Sequence, residues 1–96
     1  MNFLAESDDS YAATKADVLR AEIFCKRVRA RAFMMGTGGA DARKANAEQN
    51  GDVIAADEEL INATISFETL KAKRQRAELL IEVWRSINAS QRKGNV

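Results

Sequence analysis

The sequence predicts an all-α protein in which two long helices flank a short middle helix, forming one domain over residues 1–96 and assembled as a helical homo-oligomer. Three observations predict it. No proline occurs in 96 residues, so nothing removes a backbone donor inside a helix. Two interior breaks, Gly36-Thr37-Gly38-Gly39 and Asn50-Gly51-Asp52, divide the chain into three. Apolar residues recur at helical spacing on either side of them.

Residues 1–6 are expected as a short arm. Ser7, Asp8, Asp9 and Ser10 supply capping side chains and negative charge where a helix N-terminus favours both. A helix then runs to about Met35. Leu19, Ile23, Ala30 and Phe33 form one apolar stripe, and Val18, Cys25 and Ala32 form another beside it. The glycine turn ends this helix, since glycine makes a left-handed cap and a sharp reversal inexpensive. Residues 40–50 follow as a short polar helix. Asp52 is the expected cap of the last helix, from about Val53 to Ser90, with residues 91–96 frayed.

The last helix also carries two stripes. Ala63, Phe67, Leu70, Ala77, Ile81 and Trp84 follow one; Ile61, Ile65, Ala72, Leu79, Val83 and Ile87 follow the other. Over residues 79–87 the apolar positions go most of the way round, and such a helix must be covered on most sides. One partner helix cannot do that. Self-association is the simplest remedy; the alternative is that the short middle helix folds back over this segment.

Composition narrows the chemistry. There is no histidine, which removes the commonest general base and metal ligand. The single cysteine, Cys25, lies between Phe24 and Val28 and is expected as a buried free thiol, as suits a reducing compartment. No metal set, cofactor motif or acid–base pair is visible, so no catalytic residue is expected and the chain does not read as an enzyme. The net charge of +1 draws the molecule strongly to neither duplex DNA nor a membrane surface. Residues 1–6 carry no basic leader, and no apolar run has the length of a membrane span.

Five candidate sites remain, each with two readings. Lys26, Arg27, Arg29 and Arg31 either complement a helix C-terminus or bind phosphate. The turn Gly36-Thr37-Gly38-Gly39 either stops a helix or cradles an anion with its backbone N–H groups; it is not a nucleotide-hydrolysing loop, because no Lys-Ser/Thr pair follows. Lys71, Lys73, Arg74 and Arg76 are either solvated or repeated around a symmetry axis to face a common anion. Tyr11 either stacks on a base or staples the first helix to a neighbour. Trp84 is expected in the core, while Arg85 and Arg92, seven residues apart, share a face and could clamp one phosphate.

A tyrosine in the first turn, a lysine further along the same helix, and a long C-terminal helix ending in Trp84-Arg85…Arg92 resemble the phage anti-CBASS cyclic-nucleotide sponges, related to the anti-Thoeris sponges. The resemblance implies a helical oligomer, typically a hexamer, acting in the cytoplasm of the infected bacterial host. It implies sequestration without cleavage of cyclic dinucleotides such as cyclic GMP–AMP in one kind of pocket and of cyclic trinucleotides in another. Tyr11 matches the family's base-stacking tyrosine and Lys26 its phosphate-binding lysine. Thr37, Gly38 and Gly39, with an arginine of the long helix (Arg74 or Arg76), would match the trinucleotide pocket.

Tyr11 and Lys26 are about 22 Å apart along one straight helix. A cyclic dinucleotide cannot span that distance. If both residues touch one ligand, they come from different chains, with first helices antiparallel across a two-fold axis. Such a site has two tyrosines and two lysines for two bases and two phosphates. A cyclic trinucleotide would sit on a three-fold axis. The alternative reading is a helical phage interaction protein that binds another protein or single-stranded nucleic acid.

Overall fold

The computed structural model describes residues 3–94 and contains four helices: α1 (Phe3–Glu6), α2 (Asp8–Met35), α3 (Ala40–Gln49) and α4 (Gly51–Gly94). The all-helical class and the two long helices are as expected. Two segments are more ordered than predicted. Phe3–Glu6 of the expected arm is a helical turn packed on α4, and Gln91–Gly94 of the expected frayed tail continues α4. Residues 1, 2, 95 and 96 lie outside the described residues.

The capping differs in detail. Ser7 occupies the N-cap of α2 without capping it through its side chain; its hydroxyl donates to the Leu4 carbonyl and accepts from Arg74. At α4 the cap is Asn50 rather than Asp52: Asn50 Oδ1 accepts the Asp52 N–H at 2.8 Å. Asn50 also closes α3, where its N–H donates to the Ala47 carbonyl. In the turn after α2, Gly36 is extended and Gly38 alone takes a positive φ, +93°.

α2 and α4 pack antiparallel. Cys25 lies against Ala56, Tyr11 against Phe67, and Asp8 against Arg74. Cys25, Val28, Val53 and Ala56 form the core, with Ala32 and Leu60 against it. α3 folds over the end of α2 and the start of α4, burying Ala47. It therefore does not cover residues 79–87, and that alternative is excluded within one chain.

Only one stripe of each long helix faces inward. On α2 the buried or half-buried residues include Val18, Cys25, Val28 and Ala32, while Leu19, Ile23 and Ala30 face out. Phe33 is half-buried on the side of α3, beneath the Arg43 guanidinium. On α4 the stripe from Ala63 to Ile81 faces α2 and α1. The other stripe lies bare: Ile61, Ile65, Leu79 and Val83 are 51%, 58%, 59% and 54% exposed. Trp84, expected in the core, is also exposed and lines an apolar hollow with Phe3, Leu4, Ala77, Leu80 and Ile81.

The chain is consequently long and thin, 80 × 23 × 14 Å. Its radius of gyration is 22.4 Å, against about 12 Å for a compact chain of this length. Its 7464 Å² of accessible surface exceeds by about 2000 Å² what a compact monomer of this mass exposes. No helix among the described residues is long and apolar enough to cross a membrane.

Candidate functional site

The α1–α2 junction sits on the middle of α4, and one arginine fastens it there. Arg74 Nη1 donates to the Leu4 carbonyl at 2.9 Å and to Ser7 Oγ at 2.7 Å, and Nη2 donates to Asp8 Oδ1 at 2.8 Å. Its side chain is only 17% exposed. The guanidinium carbon lies 4.8 Å from the centroid of the Tyr11 ring. Tyr11 is half-buried, and its ring packs tilted against Phe67 with centroids 5.3 Å apart. Tyr11 thus staples α2 to α4. The same ring still borders an open hollow of 230 Å³ with Lys71, Arg74, Gln75 and Glu78. The Lys71 ammonium lies 6.0 Å from the Phe67 centroid on the same side chain cluster.

This hollow has an aromatic wall, a lysine, an amide and a carboxylate, with a guanidinium whose donors are directed elsewhere. An aromatic ring and an ammonium are groups that can meet a planar base and an anion, and the Glu78 carboxylate opposes the latter. Lys26 does not reach it: it is exposed, and the helix between it and Tyr11 is unbroken. Within one chain, the pair singled out in the sequence is not brought together.

The second set is also separated. Thr37, Gly38 and Gly39 are exposed at the end of α2, whereas Arg74 binds Asp8 at its start, about 40 Å away along the helix. The glycine turn is partly occupied from within. Arg43 Nε donates to the Gly38 carbonyl at 3.1 Å, and the Arg43 N–H donates to the Gly39 carbonyl. Arg76 is exposed on α4, and Arg85 and Arg92 lie exposed on the part of α4 that projects beyond α2.

In the basic run of α2, Arg29 has a structural role that its neighbours do not share. It donates to both Asp57 oxygens, at 2.9 and 2.8 Å, and to both Glu48 oxygens, at 3.2 and 3.4 Å, tying α2, α3 and α4 together. The Arg29 hydrogen bonds hold the Asp57 carboxyl below the usual carboxylate range. Burial pushes the Cys25 thiol up, and the adjacent Asp57 charge adds to this. Its Sγ donates to the Ala56 carbonyl at 3.2 Å, so the thiol is a packed donor.

Sequence reasoning named Arg29 and Arg74 among solvated or ligand-facing cations. Their partners lie 28 and 66 residues away, so nothing local signalled them. Lys71 was named with its cluster, but Gln75 and Glu78 were not; their one-turn spacing from Arg74 and Lys71 on a shared face was the available signal. Among the described residues, no group of three or more His, Cys, Asp or Glu side chains converges as a metal site. Comparison of the chain with family models, curated proteins and solved structures gives no match.

Proposed function

We propose that the protein is a non-catalytic sponge that binds cyclic dinucleotide, and separately cyclic trinucleotide, immune signals and sequesters them intact, blocking CBASS defence in the cytoplasm of the infected bacterial host. The observation that carries the reading is the hollow beside Tyr11: a single half-buried aromatic ring with Lys71 and Glu78 beside it, and Lys26 about 22 Å away along the same helix. One chain holds half of a site. A two-fold copy with antiparallel α2 supplies the other half, so Tyr11 and Lys71 of one chain meet Lys26 of the next.

The surface of the chain supports self-association. About 2000 Å² of excess surface and an outward apolar stripe on each long helix favour assembly, and the resemblance favours a hexamer. The trinucleotide pocket rests on the exposed turn Thr37-Gly38-Gly39 repeated about a three-fold axis. Arg74 is committed within its own chain, which leaves Arg76, Arg85 or Arg92 to supply the arginine.

Titration with cyclic GMP–AMP is expected to show tight binding and to release unmodified ligand on denaturation. Absence of binding to every cyclic di- and trinucleotide at micromolar protein would refute the reading. A second reading, a helical phage interaction protein for another protein or single-stranded nucleic acid, draws on the same apolar stripes. A single-strand binder would prefer polymers and lose affinity steeply with salt.

A further inference from the structure

The uncovered stripe of α4 has an internal symmetry. Ala72 lies at its centre. Four residues to either side are Glu68 and Arg76; seven to either side, Ile65 and Leu79; eleven to either side, Ile61 and Val83. Offsets of four, seven and eleven keep a residue on one face of a helix. All seven positions belong to α4, and Ile61, Ile65, Glu68, Ala72, Arg76, Leu79 and Val83 are all exposed. Among the described residues, neither Glu68 nor Arg76 makes an ion pair.

We infer that this face binds the same face of a second copy, with the two α4 helices antiparallel across a two-fold axis at Ala72. A two-fold there sets Ile65 opposite the partner's Leu79, Ile61 opposite the partner's Val83, and Glu68 opposite the partner's Arg76, each twice. Parallel pairing would set Glu68 against Glu68 and Arg76 against Arg76. The small side chain of Ala72 lets the helices approach closely where they cross.

The occupant is a second copy because the pattern is palindromic. A different protein would need acid, base and apolar residues in its own order, and nothing would make this stripe complementary to itself. The chain as a whole has surface to cover. A standard interface takes about 800 Å² from each partner, and the chain exposes about 2000 Å² more than a compact monomer.

The pairing rests on the self-association in the proposed function and is independent of the ligand. It makes Arg76 an interface residue and leaves Arg85 and Arg92 as the long-helix arginines open to an anion. It also leaves the exposed α2 residues Leu19, Ile23 and Ala30 for the antiparallel α2 contact that the dinucleotide site requires. Alternating α2 and α4 two-folds build assemblies with an even number of chains, of which a closed hexamer is one.

The test uses the full chain without nucleotide, by sedimentation equilibrium, with circular dichroism confirming the helices. Wild type is expected to self-associate. Glu68→Arg and Arg76→Glu should each weaken association by about tenfold or more, because each change creates two like-charge pairs per dimer. The double swap Glu68→Arg/Arg76→Glu should restore it. Ala72→Cys should give a disulfide-linked dimer under mild oxidation, and Ala89→Cys, exposed on another face of α4, should not. Single variants that associate like wild type, or a double swap no better than either single change, would overturn the α4 pairing and leave self-association and nucleotide binding standing. A wild-type chain that stays monomeric at every concentration would overturn both the pairing and the assembly.

Discussion

Arg74, in the middle of α4, donates a 2.7 Å hydrogen bond to Ser7 Oγ, the residue between α1 and α2. With its bonds to Leu4 and Asp8 it fixes where the first long helix begins on the second, and with its guanidinium over Tyr11 it fixes how that ring stands. Ser7 is buried, so its hydroxyl has to be satisfied inside the protein.

Arg74→Ala should therefore lower stability by about 2 kcal/mol, the range for losing charge-assisted bonds to groups left partly buried. Arg74→Lys should recover little, because one ammonium cannot serve three acceptors in fork geometry. Urea denaturation at fixed protein concentration checks both. An Arg74→Ala protein as stable as wild type would show that the junction is held by packing alone.

Tyr11 and Lys26 should separate cleanly in binding. Lys26→Ala is expected to weaken cyclic dinucleotide binding with unfolding unchanged, since Lys26 is exposed. Tyr11→Ala should weaken dinucleotide binding, spare cyclic trinucleotides and cost some stability through its lost contact with Phe67. Tyr11→Phe should retain binding, because stacking needs the ring and not the hydroxyl. Calorimetry against both ligand classes, beside a denaturation curve for each variant, is the measurement; equal loss of both ligands in Tyr11→Ala would refute separate pockets.

Lys71 borders the Tyr11 hollow, and Lys71→Ala should reduce dinucleotide affinity by about tenfold, the loss of one charge-assisted phosphate contact. Lys73→Ala, exposed two residues away on another face of α4 and outside the hollow, should not. Equal effects of the two changes would point to a general field and not to a built contact.

The Arg29–Asp57 pair predicts an acid dependence. The folded-state pKa of Asp57 is lowered, so its contribution to stability is present above the ordinary carboxylate value of 3.8 and is lost as the pH falls through the lower folded value. Thermal unfolding of wild type and Asp57→Asn above and below that pH should show the two curves converging in acid. A constant gap between them would remove Asp57 as the cause.

Cys25 should resist thiol reagents in the folded protein and react once urea opens it, because its thiol is buried, donates to Ala56 and has a raised pKa. Because that pKa is raised, the stabilising effect of the packed thiol is full below the ordinary 9.0 and is lost as the pH climbs from there through the folded value. Fast modification of the native protein would contradict the packing of α2 on α4 at this point.

The sequence by itself determined the three main helices and the two breaks between them, but not the short α1 or the continuation of α4 to Gly94. Missing proline, the glycine turn at residues 36–39 and Asn50-Gly51 set the boundaries, because backbone preferences are local. It also determined that each long helix carries two apolar stripes, and that Tyr11 and Lys26 are too far apart to share a ligand within one chain. Tertiary structure decided which stripe is covered. Val18 and Cys25 turn inward while Leu19 and Ile23 do not, and Ala63 and Phe67 turn inward while Ile61 and Ile65 do not. Periodicity cannot make that choice, since both stripes are equally helical and only the partner helix distinguishes them. The same holds for Arg74 with Ser7 and Arg29 with Asp57, pairs 67 and 28 residues apart that exist only once the antiparallel packing of α2 on α4 sets their register.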